Sequence, residues 1–104
     1  MDKYIVTCGT VHAVLTEAQA RELEYLARWR ADLAYICERY GRQDPETQVS
    51  RKSIEFSLQQ LDALCVPFWI QNAALAFGED WRRQQSSGLF EWIGKRAGYT
   101  VTAA

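Results

Sequence analysis

Hydrophobic positions gather most densely at Val66-Pro67-Phe68-Trp69-Ile70-Gln71-Asn72-Ala73-Ala74-Leu75-Ala76-Phe77, where no charge interrupts twelve residues. With no evident solvent side, this run predicts a central helix, about residues 67–84, buried nearly all round. It is shorter than the roughly 20 residues of a membrane crossing, and Asp62 and Glu79-Asp80 flank it with charge. Pro67 lacks a backbone donor, so the pattern favours two helices meeting at Pro67 over one continuous helix. Gly78 is expected to loosen the helix, which Glu79-Asp80-Trp81-Arg82-Arg83 extends outward.

The remaining elements are set by their periods. Tyr4-Ile5-Val6-Thr7-Cys8 and Val11-His12-Ala13-Val14-Leu15 are rich in β-formers, and Gly9-Thr10 suits a two-residue turn, so residues 3–15 read as a hairpin. That turn sets Cys8 opposite Val11, Val6 opposite Ala13 and Tyr4 opposite Leu15 on one face, leaving Ile5, Val14, Thr7 and His12 on the other. Thr16-Glu17-Ala18-Gln19 is a capping box opening a helix over 17–40. Its expected buried stripe is Leu26, Trp29, Leu33, Ile36 and Tyr40, edged by Leu23 and Cys37, with Glu17/Arg21 and Glu24/Arg28 as outward pairs.

Residues 41–49, polar and containing Pro45, read as the longest loop. Ser50 is then the expected cap of a helix over about 51–65, stapled by Val49 and Ile54 and buried through Ile54, Leu58, Leu61, Leu64 and Cys65. Phe56 falls outside that stripe. A turn at Gln85-Ser86-Ser87-Gly88 leads to a short helix over about 89–97, with a serine of the turn available as its cap. Tyr99-Thr100-Val101-Thr102 then alternates as a candidate third strand for a hairpin that is marginal alone. The fold class is α+β and mainly helical: a hairpin, widened by the C-terminal strand, packed on three to four helices.

Composition narrows the function classes. At 104 residues the chain matches one domain, and 48% hydrophobic with 24% charged residues is ordinary for a globular core. The net charge is −1, with six Lys/Arg against eight Asp/Glu in residues 1–50 and six against five in 51–104, so neither half is a basic nucleic-acid module. Met-Asp-Lys-Tyr-Ile-Val has no signal-peptide core, which together with three dispersed thiols, Cys8, Cys37 and Cys65, points to the cytoplasm. No metal-ligand spacing or cofactor motif is present, and none is expected.

Catalytic constellations are weak. Cys8 and His12 fall on opposite hairpin faces, and Glu79-Asp80 project about 100° apart on a helix, a poor acid/base dyad. Arg82-Arg83 and Lys95-Arg96 beside Trp81 and Trp92 resemble a stacking and phosphate surface, but Glu79, Asp80 and Glu91 reduce residues 78–98 to +1. Four tryptophans are the compositional excess, and aromatics are enriched where interfaces hold their energy.

The expectation is therefore a small non-catalytic protein-binding domain, a homodimer or an adaptor or inhibitor of a partner protein, of a kind a phage or mobile element carries. Its expected interface is Trp81, Trp92, Tyr35, Phe56, Arg82 and Arg83. The alternative is a small-ligand site or enzyme with an aromatic pocket of Trp69, Gln71, Asn72 and Phe77, the adjacent amides orienting the ligand. The competing reading of those amides has them bonded to backbone or reaching the surface.

Overall fold

A computed structural model gives the fold and describes residues 1–84 and 87–104. Strands β1 (Asp2–Cys8) and β2 (Val11–Thr16) form the expected hairpin in the expected register. Gly9 takes φ +61°, which glycine adopts without a Cβ penalty. β3 (Tyr99–Ala103) pairs antiparallel with β1, so the sheet order is β2-β1-β3 and the hairpin gains the strand it needed. Val6 on the central strand and Leu15 beside it are buried against the helices.

Helix α1 (Glu17–Tyr40) begins as the sequence predicts. Gln19 N donates to Thr16 Oγ1 at 3.2 Å, and Thr16 N donates to Gln19 Oε1 at 2.8 Å. The same glutamine donates from Nε2 to the Leu64 carbonyl, 45 positions on, at 2.8 Å. The buried arc differs from the expected stripe. Ala20, Leu23, Leu26, Ala27 and Leu33 are buried, whereas Trp29 and Tyr40 are 38% and 57% exposed and Ile36 and Cys37 are half-buried. Small residues draw neighbours close, so the arc turns toward Ala20 and Ala27 and away from the aromatics.

The loop expected at 41–49 is mostly helix. α2 spans Pro45–Ala63, capped by Asp44, whose carboxylate accepts from Glu46 N at 2.9 Å. Proline at the first helical position forfeits a donor that has no intrahelical acceptor, and its fixed φ is already helical. Ser50 is therefore not a cap: it lies inside the helix and is buried, while Val49, the expected staple residue, is exposed. The buried face runs Thr47, Ser50, Ser57 and Leu61, with Ile54 half-buried among them. Two of its hydroxyls are hydrogen-bonded within the chain: Thr47 Oγ1 donates to the Gly41 carbonyl at 2.9 Å, and Ser57 Oγ to Glu22 Oε1 at 3.1 Å.

α2 ends before the Leu64 and Cys65 expected to be buried, and both are exposed. Cys65 N donates to the Asp62 carbonyl and Val66 N to the Leu61 carbonyl, both at 3.0 Å. This is a Schellman motif, with buried Leu61 and Val66 as its hydrophobic pair and Cys65 at φ +59° in the position glycine usually holds. α3 (Phe68–Glu79) comes next with Pro67 at its N-cap, so there are two helices, with the proline just ahead of the second.

α3 is not buried all round, nor is it the centre. Phe68 is 72% exposed and Asn72 is also exposed, whereas Ile70, Gln71, Ala73, Ala74 and Gly78 are buried. The central helix is α1, which packs on α2, on α3 and on both hairpin strands. Nor does Gly78 loosen anything: a Cβ there would lie 2.5 Å from the Ala27 carbonyl oxygen and 2.6 Å from Arg30 Cβ, so it is a close approach of two helices. The helix expected over 67–84 is broken at Asp80 into α3 and α4 (Trp81–Gln84).

α5 (Leu89–Gly94) is shorter than the expected 89–97, because Lys95 already donates back to Ile93 and Trp92 as its C-cap. Gly88 stands at its N-cap without a side-chain bond; the turn expected at 85–88 lies partly outside the described residues. One buried cluster joins sheet and helices through Val6, Leu15, Leu23, Leu61, Ile70 and Ile93. Among the described residues, no helix is long and apolar enough to cross a membrane.

The left-handed conformation at Cys65 costs a non-glycine residue roughly 1–2 kcal/mol, against about 0.5–1 kcal/mol of extra chain entropy lost by glycine. Cys65→Gly is therefore expected to stabilise the protein, by up to about 1 kcal/mol, as a higher urea midpoint at unchanged slope.

Candidate functional site

A groove lies where α1, the end of α3, α4 and the start of α5 meet β1. It encloses about 550 Å³ and is floored by Ala27, Ala31, Tyr4, Phe90, Phe77 and Trp81. The alanines on α1 make the floor shallow enough for a groove to exist. Tyr4 stacks on Phe90 with centroids 4.2 Å apart, which fixes the strand side. Phe77 meets Trp92 edge-on at 5.5 Å, which fixes the α3 side. Glu24, Arg28 and Glu91 also line it, giving an apolar floor with a mixed polar border.

Trp81 is shared with a second, smaller hollow of about 210 Å³ bordered by Tyr35, Glu38, Arg39 and Arg82. Tyr35 packs edge-on against Trp81 at 5.3 Å, and Arg82 pairs with Glu38 while lying over the Trp81 ring at 5.5 Å. Arg39 donates to Tyr35 Oη at 3.4 Å. Hydrogen bonding to Tyr40 first, and the nearby Tyr35 next, raise its already high pKa.

Of the residues the sequence singled out for an interface, Trp81, Tyr35 and Arg82 come together here. Arg83 sits beside them, 3.7 Å from Asp80. Trp92 packs instead between Phe77 and Arg96, whose guanidinium lies 4.7 Å from its ring. Phe56 stands exposed on α2, on neither hollow.

The four residues expected to form a ligand pocket are not gathered around one cavity. Trp69 packs against Tyr99 at 6.4 Å, and Phe77 faces the large groove. Gln71 is buried and donates from Nε2 to the Val66 carbonyl at 2.8 Å and to Asp62 Oδ1 at 3.1 Å, bracing the turn between α2 and α3. Asn72, the next residue on the helix, is exposed. Adjacent helical residues diverge by about 100°, and here that angle separates interior from solvent.

The suspected chemical groups are placed apart or already engaged. Cys8 and His12 lie on opposite sheet faces. Cys8 instead neighbours Tyr99 across the β1–β3 pair; burial first, then the Cys8 side chain, push the Tyr99 hydroxyl above its ordinary pKa, and Arg96 partly offsets this. Glu79 lies 3.7 Å from Arg30, and Lys95 is paired with Glu91 at 3.1 Å. With Arg82, Arg83 and Arg96 also occupied, the basic pairs of this region are engaged within the chain. Among the described residues, no three His, Cys, Asp or Glu side chains are grouped to hold a metal. Comparison with known proteins found no matching family model, no matching curated protein and no matching solved structure.

Tyr4, Phe90, Glu24, Arg28 and Glu91 help complete the groove; the sequence marks Glu24 and Arg28 only as an outward pair, and no local motif marks any of the five as a site residue. The one sequence signal is the row of alanines on α1, which predicts a low face without saying what stands around it. The placement of the two amides has a direct test. Asn72→Leu is expected to change stability by less than about 0.5 kcal/mol, whereas Gln71→Leu strands the Val66 carbonyl, offset in part by removing the buried, partnerless Gln71 Oε1, and costs about 1–2 kcal/mol in urea unfolding.

Proposed function

We propose that the protein is a non-catalytic protein-binding domain, an adaptor or inhibitor of a partner protein, that engages its partner along the groove and the hollow on either side of Trp81. The observation that carries this reading is that Trp81 walls both concavities, with Tyr35 against it and Arg82 over it. Trp, Tyr and Arg are the residue types that concentrate binding energy, most of all where concave surroundings exclude water. The polar border of Glu24, Arg28 and Glu91 fits the rim of such a surface.

Nucleic acid is a poor fit, because residues 78–98 carry only +1 and Arg82, Arg83, Lys95 and Arg96 are each paired or stacked. We place the protein in the cytoplasm, which suits three free thiols. Small-ligand binding is the second reading, favoured by a groove volume of about 550 Å³ within the range of ligand pockets; it now belongs at the groove and not around Gln71 and Asn72.

Affinity capture with three variants tests the main reading. Wild type and Phe56→Ser are expected to retain the same discrete partner protein, while Trp81→Ala weakens retention about 30-fold or more, the loss of a hot-spot side chain. Retention by Trp81→Ala with loss in Phe56→Ser would move the interface to α2.

A further inference from the structure

Among the described residues, no further strand pairs with the β2 edge of the sheet, and the strand carries none of the usual protection. From Gly9 to Thr16 the chain has no Lys, Arg, Asp, Glu or Pro, and exposed edges are ordinarily guarded by such residues. Two of its apolar side chains, Val11 and Val14, are 47% and 45% exposed.

Hydrogen-bond parity shows which backbone groups are free. Gly9 N bonds to the Gly98 carbonyl and Ala104 N to the Lys3 carbonyl, so the odd-numbered residues of β1 face β3. The even-numbered residues Tyr4, Val6 and Cys8 therefore face β2, where their partners are Leu15, Ala13 and Val11. The N–H and C=O of His12 and Val14 are left pointing outward from the sheet. Thr16 N is already held by Gln19 Oε1 at 2.8 Å, so the free edge is centred on Ala13.

We propose that β2 pairs antiparallel with β2 of a second copy of this chain about a two-fold axis at Ala13, joining two sheets into one of six strands. In that register His12 pairs with the second copy's Val14, and Val14 with its His12, each pair exchanging two backbone hydrogen bonds. Ala13 meets its own counterpart in the closer, non-hydrogen-bonded position, where a methyl is the side chain that fits. Val11 comes beside the second copy's Leu15, so both exposed valines of the strand gain a neighbour. Self-pairing also brings no like charges together, because the strand has none. A second copy is the simplest occupant, because one uncharged sequence satisfies both sides of the seam. The contact is separate from the Trp81 groove and does not depend on it. A single strand pair is a small contact beside the roughly 1,600 Å² of a standard stable interface, so association is expected to be weak and is sought at about 10 µM to 1 mM.

Sedimentation velocity over that concentration range, with amide NMR shifts followed on dilution, tests the proposal. Wild-type mass is expected to rise from 12.0 kDa toward twice that value, with shifts concentrated at His12, Ala13 and Val14. Val14→Lys places a charge on the seam at an already exposed position and is expected to weaken association at least tenfold, while Val49→Lys on α2 associates as wild type does. Wild type remaining at 12.0 kDa throughout, shifts confined to β3 or to Trp81, or undiminished association of folded Val14→Lys would each overturn it. The wild-type shifts decide the matter without the variant should Val14→Lys fail to fold.

Discussion

There is no room for a methyl group where α3 crosses α1: at Gly78 an added Cβ would approach the Ala27 carbonyl to 2.5 Å and the Ala31 nitrogen to 2.9 Å, both backbone atoms that cannot swing aside. The missing side chain lets α3 lie directly on the α1 backbone. With α3 seated there, Phe77 and Trp81 on either side of the glycine are set at the edge of α1. Ala27 and Ala31 floor the space between them and the sheet. The groove is thus a consequence of close helix contact on one flank and aromatic stacking, Tyr4 on Phe90, on the other.

Two glutamines hold the corner through which the chain reaches α3. Gln19 caps α1 and simultaneously binds the Leu64 carbonyl at the end of α2. Gln71 binds the Val66 carbonyl from inside α3. Between these ties the backbone makes its left-handed step at Cys65. Each amide donates to a carbonyl of the turn between α2 and α3, which would otherwise be expensive to leave without a partner. What resembles the polar end of a ligand pocket is, at Gln71, a brace in the main-chain path.

The legible features are those determined by neighbours in sequence. The hairpin register comes from a two-residue turn, the α1 start from a capping box, the helix break from Pro67 and the third strand from alternation alone. The start of α2 is hidden because Pro45 weighs as a loop residue until Asp44 is seen to cap a helix in which it stands first. The buried face of α2 is hidden because Thr47, Ser50 and Ser57 are polar by composition, yet two of their hydroxyls find acceptors. Size points Trp29 and Tyr40 inward, although the helix crossing accommodates alanine and glycine. For the site, Trp81, Tyr35 and Arg82 are recognisable as surface-active residues, but their meeting, and the contribution of Tyr4, Phe90 and Glu24 to the adjoining groove, come from tertiary contacts that no spacing encodes.

The two surfaces have different physical origins. The groove is concave and aromatic, and the reading of it as a partner site rests on Trp81 walling both hollows; the β2 edge is a row of backbone groups with a hydrogen-bonding pattern of its own. The groove depends on the helical layer being placed as described, and that placement turns on Gly78. The direct test is the unfolding free energy of Gly78→Ala by urea titration. Helix propensity alone favours alanine by about 1 kcal/mol, whereas overpacking against the α1 backbone costs about 1–3 kcal/mol. A net loss of stability with reduced amide-exchange protection across α3 is expected. A variant as stable as wild type, or more stable, would contradict the close α1–α3 contact from which the site is built.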